Sequence, residues 1–182
     1  MGPPQKSAAE PEAPPDAPPE EQHKQKLDEL FTRLAASKDA DETAGLLAAI
    51  DRAMLETSSD TDEFLMARAI AAMGTKNLDT ALALLDRLVE IDPDWAEAWN
   101  KRATVRFMTG DQSGSMADIA QTLQREPRHF GALSGMGMIL EQRGFRASAL
   151  KAYQRVLEIA PEMASAKAAV DRLEAAERGQ GL

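Results

Sequence analysis

Apolar residues recur along this chain at the spacing of helices. Leu27, Leu30, Phe31 and Leu34 are three or four residues apart and form one stripe, and Leu46, Leu47, Ile50 and Met54 form another. From Gln22 onward no stretch alternates apolar and polar residues with the β-branched enrichment of a strand. Short polar breaks divide the stripes at Gly74-Thr75-Lys76-Asn77, Gly110-Asp111 and Arg143-Gly144. Asn77 and Asp111 suit helix starts, because their side chains accept from free first-turn N–H groups. Gly110 and Gly144 suit helix ends, where a left-handed residue closes the last turn. The pattern predicts an all-α chain of short helices.

The helices repeat. Pro93, Pro127 and Pro161 are spaced by 34 residues, and the residues before them match in kind. Twelve positions before each proline stand Ala81, Ser115 and Ala149; twenty-four before stand Ala69, Ala103 and Gly137. Large apolar residues stand twenty-eight before (Leu65, Trp99, Leu133), eight before (Leu85, Ile119, Tyr153) and four before (Val89, Leu123, Leu157). Antiparallel helices approach to about 8–10 Å only where side chains are small, so each pair needs a small residue on both helices at the crossing. The proline ends the second helix, since it lacks an N–H and clashes with the preceding turn. No such pair buries its apolar face alone, so the pairs must stack.

The segment DPDWAEAWNKRATVRFMTGD, the matching LDRLVEIDP and YQRVLEIAP, and the 34-residue period resemble tetratricopeptide repeats. The resemblance implies a right-handed α-solenoid of antiparallel helix pairs. It divides the chain into a disordered Pro/Ala/Glu-rich tail (1–21), a degenerate N-terminal helix pair (22–60), three repeats (61–161) and a C-terminal capping helix (162–178). Ser115 replaces the usual alanine, and Arg125 stands where Ile91 and Ile159 are apolar; both bear on the packing of that second helix. In the capping helix Ala166, Ala169, Val170, Leu173 and Ala176 share one face, with charged residues opposite.

In the family the first helices of successive repeats line a concave groove that takes peptides. The resemblance carries that role to Met66, Ile70 and Met73, then Asn100, Thr104, Phe107 and Met108, then Ser134, Met138 and Glu141. Within each set the spacing keeps the residues on one helical face. The stripe runs from Met, Ile and Phe at one end to Ser and Glu at the other, which suits an apolar or amphipathic segment. A tight superhelix packed against the first helix pair would use the same residues as core. Some family members clamp a terminal carboxylate with Lys and Asn. Only Asn100 suits that here, so chaperone-tail recognition is disfavoured.

The stretch Gly135-Met136-Gly137 invites a phosphate-loop reading, but Leu140 stands where a third glycine would be needed and no Gly-Lys-Ser/Thr follows. Gly137 instead holds the small crossing position of the third repeat. Gly135 either opens room for a ligand backbone or is a tolerated helix glycine. Lys101, Arg102 and Arg106 form a basic group that suits either an acidic ligand or, the commoner use, salt bridges with Glu97 along one helix. Trp99 is expected in the core, and Trp95 either anchors a partner or seals a repeat junction.

Composition narrows the function classes. The net charge is −9, which argues against nonspecific binding to nucleic acid or anionic membrane. With no cysteine, disulfides, thiolate catalysis and cysteine-based zinc sites are excluded. His23 and His129 have no second ligand at metal spacing, and Asp60, Asp62 and Glu63 sit where a helix start favours negative charge. No cofactor or metal is expected, and no run of about 18 apolar residues predicts a membrane span. The expected function is non-enzymatic: an adaptor or assembly module that holds a protein or peptide partner. The rivals are a self-associating structural subunit and, with no motif behind it, an enzyme. The first 20 residues suit either a flexible tether or a Pro-rich ligand. The tail fits a bacterial envelope protein whose leader has been removed, or equally a cytosolic protein.

Overall fold

A computed structural model describes residues 18–180. The expected tail lies outside the described residues as far as residue 17. Its last part does not: Pro19 already opens the first helix, because proline has no N–H to lose in a first turn. Among the described residues there are nine helices and no strand: α1 (Pro19–Ala36), α2 (Ala40–Met54), α3 (Asp60–Gly74), α4 (Leu78–Ile91), α5 (Ala96–Met108), α6 (Gln112–Arg125), α7 (Phe130–Gln142), α8 (Arg146–Ile159) and α9 (Ala164–Gln180).

Three antiparallel pairs, α3–α4, α5–α6 and α7–α8, stack in order, and α9 closes the stack against α8. Each proline of the 34-residue series follows the C-cap of a second helix: Asp92, Glu126 and Ala160. Asn77 accepts from the N–H of Thr80 and Asp111 from that of Gly114, so both are the caps their residue types suggest. Gly110 and Gly144 adopt φ of 86° and 80°. The same register in the first repeat is Lys76, with φ of 58°, a conformation that costs a residue with a Cβ about 1–2 kcal/mol.

The crossings are as tight as the small residues require. Ala69, Ala81, Ala103, Ser115, Gly137 and Ala149 are all buried. The Ser115 hydroxyl donates to the Ala103 carbonyl at 2.8 Å, so the serine crosses as closely as alanine with its polar atom satisfied. Arg125, in the apolar register of Ile91 and Ile159, lays its guanidinium 4.9 Å from the Trp99 ring centroid and donates to the carbonyls of Pro93 and Gln121. Both departures from the repeat pattern are thereby compensated. Trp99 is half-buried rather than enclosed, with the Arg102 guanidinium also 4.8 Å from its ring.

The N-terminal pair α1–α2 forms as the periodicity predicts, but it does not stack on α3 as a preceding repeat would. Phe31, Leu34, Leu46, Ile50 and Met54 share one buried cluster with Phe130 and Leu133 of α7, Val156 and Ile159 of α8, and Ala166 of α9. The reason is local to the third repeat. Phe130 stands in the register of Ala96 and Ala164, so only here does a large ring protrude beside the inter-repeat turn. Arg128 adds a bond to α1. It donates to Asp28 at 2.7 Å and lies 4.2 Å from the Phe31 ring centroid, where Asp94 and Glu162 hold the equivalent positions. Trp95 completes the seat by donating its indole N–H to the carbonyl of Met54 at 2.9 Å, which makes it a junction seal.

Candidate functional site

The first helices α5, α7 and α9 line a groove holding a cavity of about 780 Å³. Of the ten residues the repeat register points to, four line it: Asn100, Ser134, Met138 and Glu141. Met138 is the large apolar surface there, 44% exposed. Met66 does not face the groove. It is buried in a cluster with Ala69, Leu85 and Leu88, against which Leu55 and Trp95 also pack. Met73 and Phe107 are half-buried against the same kind of packing, Met73 beside α4 and Phe107 beside Met116 and Ile119. Ile70, Thr104 and Met108 are exposed but stand outside the cavity, and the Thr104 hydroxyl is turned back onto the Asn100 carbonyl at 3.0 Å.

One wall of the cavity carries a buried polar set that periodicity does not reveal. The His129 Nδ1 accepts from the Ala132 N–H at 3.2 Å and so caps α7; Nε2 must then carry the proton, and it donates to Glu97 Oε2 at 2.8 Å. Lys101 donates to the other oxygen of Glu97 at 2.6 Å. Burial pushes the Glu97 carboxyl up, but the hydrogen bonds from His129 and Lys101 outweigh it and hold the group below its ordinary value. The basic group expected on α5 is therefore split. Lys101 alone serves Glu97, while Arg102 and Arg106 turn to the other side and meet Asp118 on α6. The signal for this lay in Asp118, an acidic residue in the middle of the apolar stripe of α6, beside Ile119.

The opposite end of the cavity is closed by Glu141 on α7, which accepts two bonds from Arg172 of α9 at 2.8 and 3.0 Å. Burial, and then the Glu141 charge, push the neighbouring Tyr153 hydroxyl above its ordinary range. Polar contacts thus line a cavity to which Met138 adds an exposed thioether. Among the described residues no group of three or more His, Cys, Asp or Glu is placed to hold a metal ion, and no helix is long and apolar enough to cross a membrane.

No family profile matches the chain. A TPR repeat-containing protein of Rhizobium etli is 41% identical over 150 residues, covering 82% of this chain and 74% of the relative. The chain belongs to the tetratricopeptide-repeat proteins. Solved tetratricopeptide-repeat structures share the fold at lower identity. The first such domain of Spaghetti (RPAP3), bound to an HSP90 peptide, superposes with a TM-score of 0.62 at 19% identity, covering 67% of this chain and 99% of that one. The TPR2B domain of yeast Sti1, in complex with an Hsp70 peptide, gives 0.59 at 17% identity, covering 67% and 99%. MamA gives 0.61 at 20% identity and covers 80% of this chain and 86% of its own.

Within this tetratricopeptide-repeat array the N-terminal pair also reaches the groove. Asp51 of α2 lines the cavity opposite Glu97 and Lys101. Burial, then the Glu97 charge, raise its carboxyl above the ordinary 3.8. A raised acid costs stability at neutral pH, and the cost disappears as pH falls to the unfolded value. Glu97 has the opposite sign: its contribution is present above 4.5 and is lost as pH falls through its lowered folded value. Asp51→Asn is therefore expected to raise the melting temperature at pH 7, with water screening keeping the gain below about 1 kcal/mol. Melting curves at pH 7 and pH 3.5 check it; the two proteins should converge at the lower pH.

Proposed function

We propose that this chain is a protein-interaction module that holds a peptide or helical segment of a partner in the α5–α7–α9 groove, acting as an adaptor or assembly factor. The observation that carries the reading is the exposure of Met138 in a cavity that Asn100, Ser134 and Glu141 also line. A thioether adapts to varied apolar side chains, while the amide and hydroxyl around it suit a peptide backbone. Two solved relatives of the fold are peptide complexes, which supports the class of ligand. The groove cations are already paired, Lys101 with Glu97 and Arg172 with Glu141, so the best-matched segment offers one apolar anchor and no acidic group of its own. A terminal-carboxylate clamp is not supported: Met66 and Ile70 hold no donor, and Lys101 is engaged.

The test is Met138→Glu in the full chain. Met138 is exposed, so circular dichroism and melting should not change. Capture from lysate followed by mass spectrometry should lose the specific set, since a charge on a central anchor weakens binding by about tenfold or more. An unchanged bound set would remove the groove from consideration.

A further inference from the structure

Each first helix of the array has a face that packs on the second helix of the repeat before it. At the 34-residue register the inner positions of that face are Ala98 and Val105 on α5, Ala132 and Ile139 on α7, and Ala166 and Leu173 on α9, and all six are buried. On α3 the same register falls on Phe64 and Ala71. Both are exposed, and Phe64 reaches 59%. The pair that would have covered them, α1–α2, is seated on the third repeat instead. The array therefore ends in an open stacking face with an aromatic ring where its other repeats carry a buried alanine.

We propose that this face is covered by the same face of a second copy, two α3 helices packing antiparallel about a two-fold axis near Ala67. The face is shaped for that partner. Phe64, Ala67 and Ala71 recur at helical spacing, so the small residues allow close approach and the ring of each copy lies over Ala71 of the other. The charges agree with the direction. Exposed Asp60 opens α3 and exposed Lys76 follows its end, and only an antiparallel pair brings the two together across the axis. The Arg68 guanidinium, 5.7 Å from the Phe64 centroid, rims the patch. This inference is independent of the groove reading, since Phe64 and the groove position Ile70 lie about 120° apart around α3. One helix pair is at the small end of specific interfaces, so the dimer forms in the micromolar range and above.

Sedimentation of the full chain from about 1 µM to about 500 µM tests it across that range. The expected result is a monomer–dimer transition that Phe64→Glu moves at least about tenfold higher in concentration, with circular dichroism and melting unchanged. Lys76→Glu should weaken the dimer, and adding Asp60→Lys should restore it. Because the chain has no cysteine, Ala67→Cys should give a disulfide-linked dimer on mild oxidation, while Glu90→Cys on the exposed side of α4 should not. A monomer at every concentration, a dimer equally strong with Phe64→Glu, or no crosslink at Ala67 would each overturn the proposal.

Discussion

Asp118→Ala is expected to destabilise the fold by about 3–5 kcal/mol. Asp118 is 1% exposed, and both its oxygens are engaged. Arg102 donates to them through Nε at 2.9 Å and Nη2 at 2.7 Å, and Arg106 adds a third contact at 2.9 Å. Burial disfavours the Arg102 charge, but the bonds to Asp118 and Asp86 outweigh it and hold the guanidinium above its ordinary value. With Asp118 removed, Arg102 keeps the half-exposed Asp86 and the Trp99 ring face, and Arg106 keeps the Gly114 carbonyl at 3.3 Å. Two cations are then left largely desolvated between α5 and α6. For a chain of this size the loss lowers the melting temperature by roughly 2–4 °C per kcal/mol, which differential scanning calorimetry would resolve. Glu158→Ala is the control. Its pair with Arg155 is exposed on both sides, so less than about 1 kcal/mol is expected. Replacing Asp118, Arg102 and Arg106 together by apolar residues should recover most of the loss, because the penalty comes from unpaired charge rather than from a missing attraction.

Gly137→Ala is expected to cost about 1–3 kcal/mol, and Gly135→Ala, two residues away on the same helix, to stabilise by up to about 1 kcal/mol. A Cβ on Gly137 would stand 2.7 Å from Cζ of Tyr153, so that ring, packed with Ala169, Val170 and Leu173, would have to shift. A Cβ on Gly135 would meet nothing closer than Ile119 Cδ1 at 3.5 Å, an ordinary contact, so the helix gains alanine's propensity without strain. Denaturant midpoints separate the two signs. Adding Tyr153→Leu to Gly137→Ala should restore stability. The pair then matches Ala69 with Leu85, the combination the first repeat already packs. If Gly137→Ala proved neutral, the crossing in the third repeat would be looser than the ring contact implies.

These two effects differ in how far the chain's residues alone foretell them. Gly137 falls at a small-residue position of a strict period, and Tyr153 falls opposite it at a position otherwise held by Leu85 and Ile119. The substitutions are complementary, and the period exposes both. Asp118 is harder to read, because the partners of Arg102 and Arg106 lie on a neighbouring helix while Glu97 is one turn away along their own. Local spacing favours the nearer carboxylate; rotation of α5 in the stack puts Lys101 on one side and the two arginines on the other. The groove stripe divides for a related reason. Asn100, Ser134, Met138 and Glu141 line a cavity because α5 and α7 have neighbours on both sides. Met66, in the same register, is buried because Leu55 and Trp95 pack against its cluster from outside the α3–α4 pair.

What the chain's residues determined by themselves is everything that depends on neighbours within one repeat: helix periods, caps, proline stops, the small crossing residues and hence the stacking of α3 through α9. Those interactions span at most a few tens of residues and recur three times, so the pattern identifies them. Only the tertiary structure decided where α1–α2 would lie. An apolar stripe states how much surface must be buried and not against what. Here the choice rests on features at the starts of two repeats, the Trp95 indole in one and the Phe130 ring and Arg128–Asp28 pair in the next, which act on residues some 40 to 100 positions away. That seat shapes the groove wall through Asp51 and leaves Phe64 uncovered at the other end of the array.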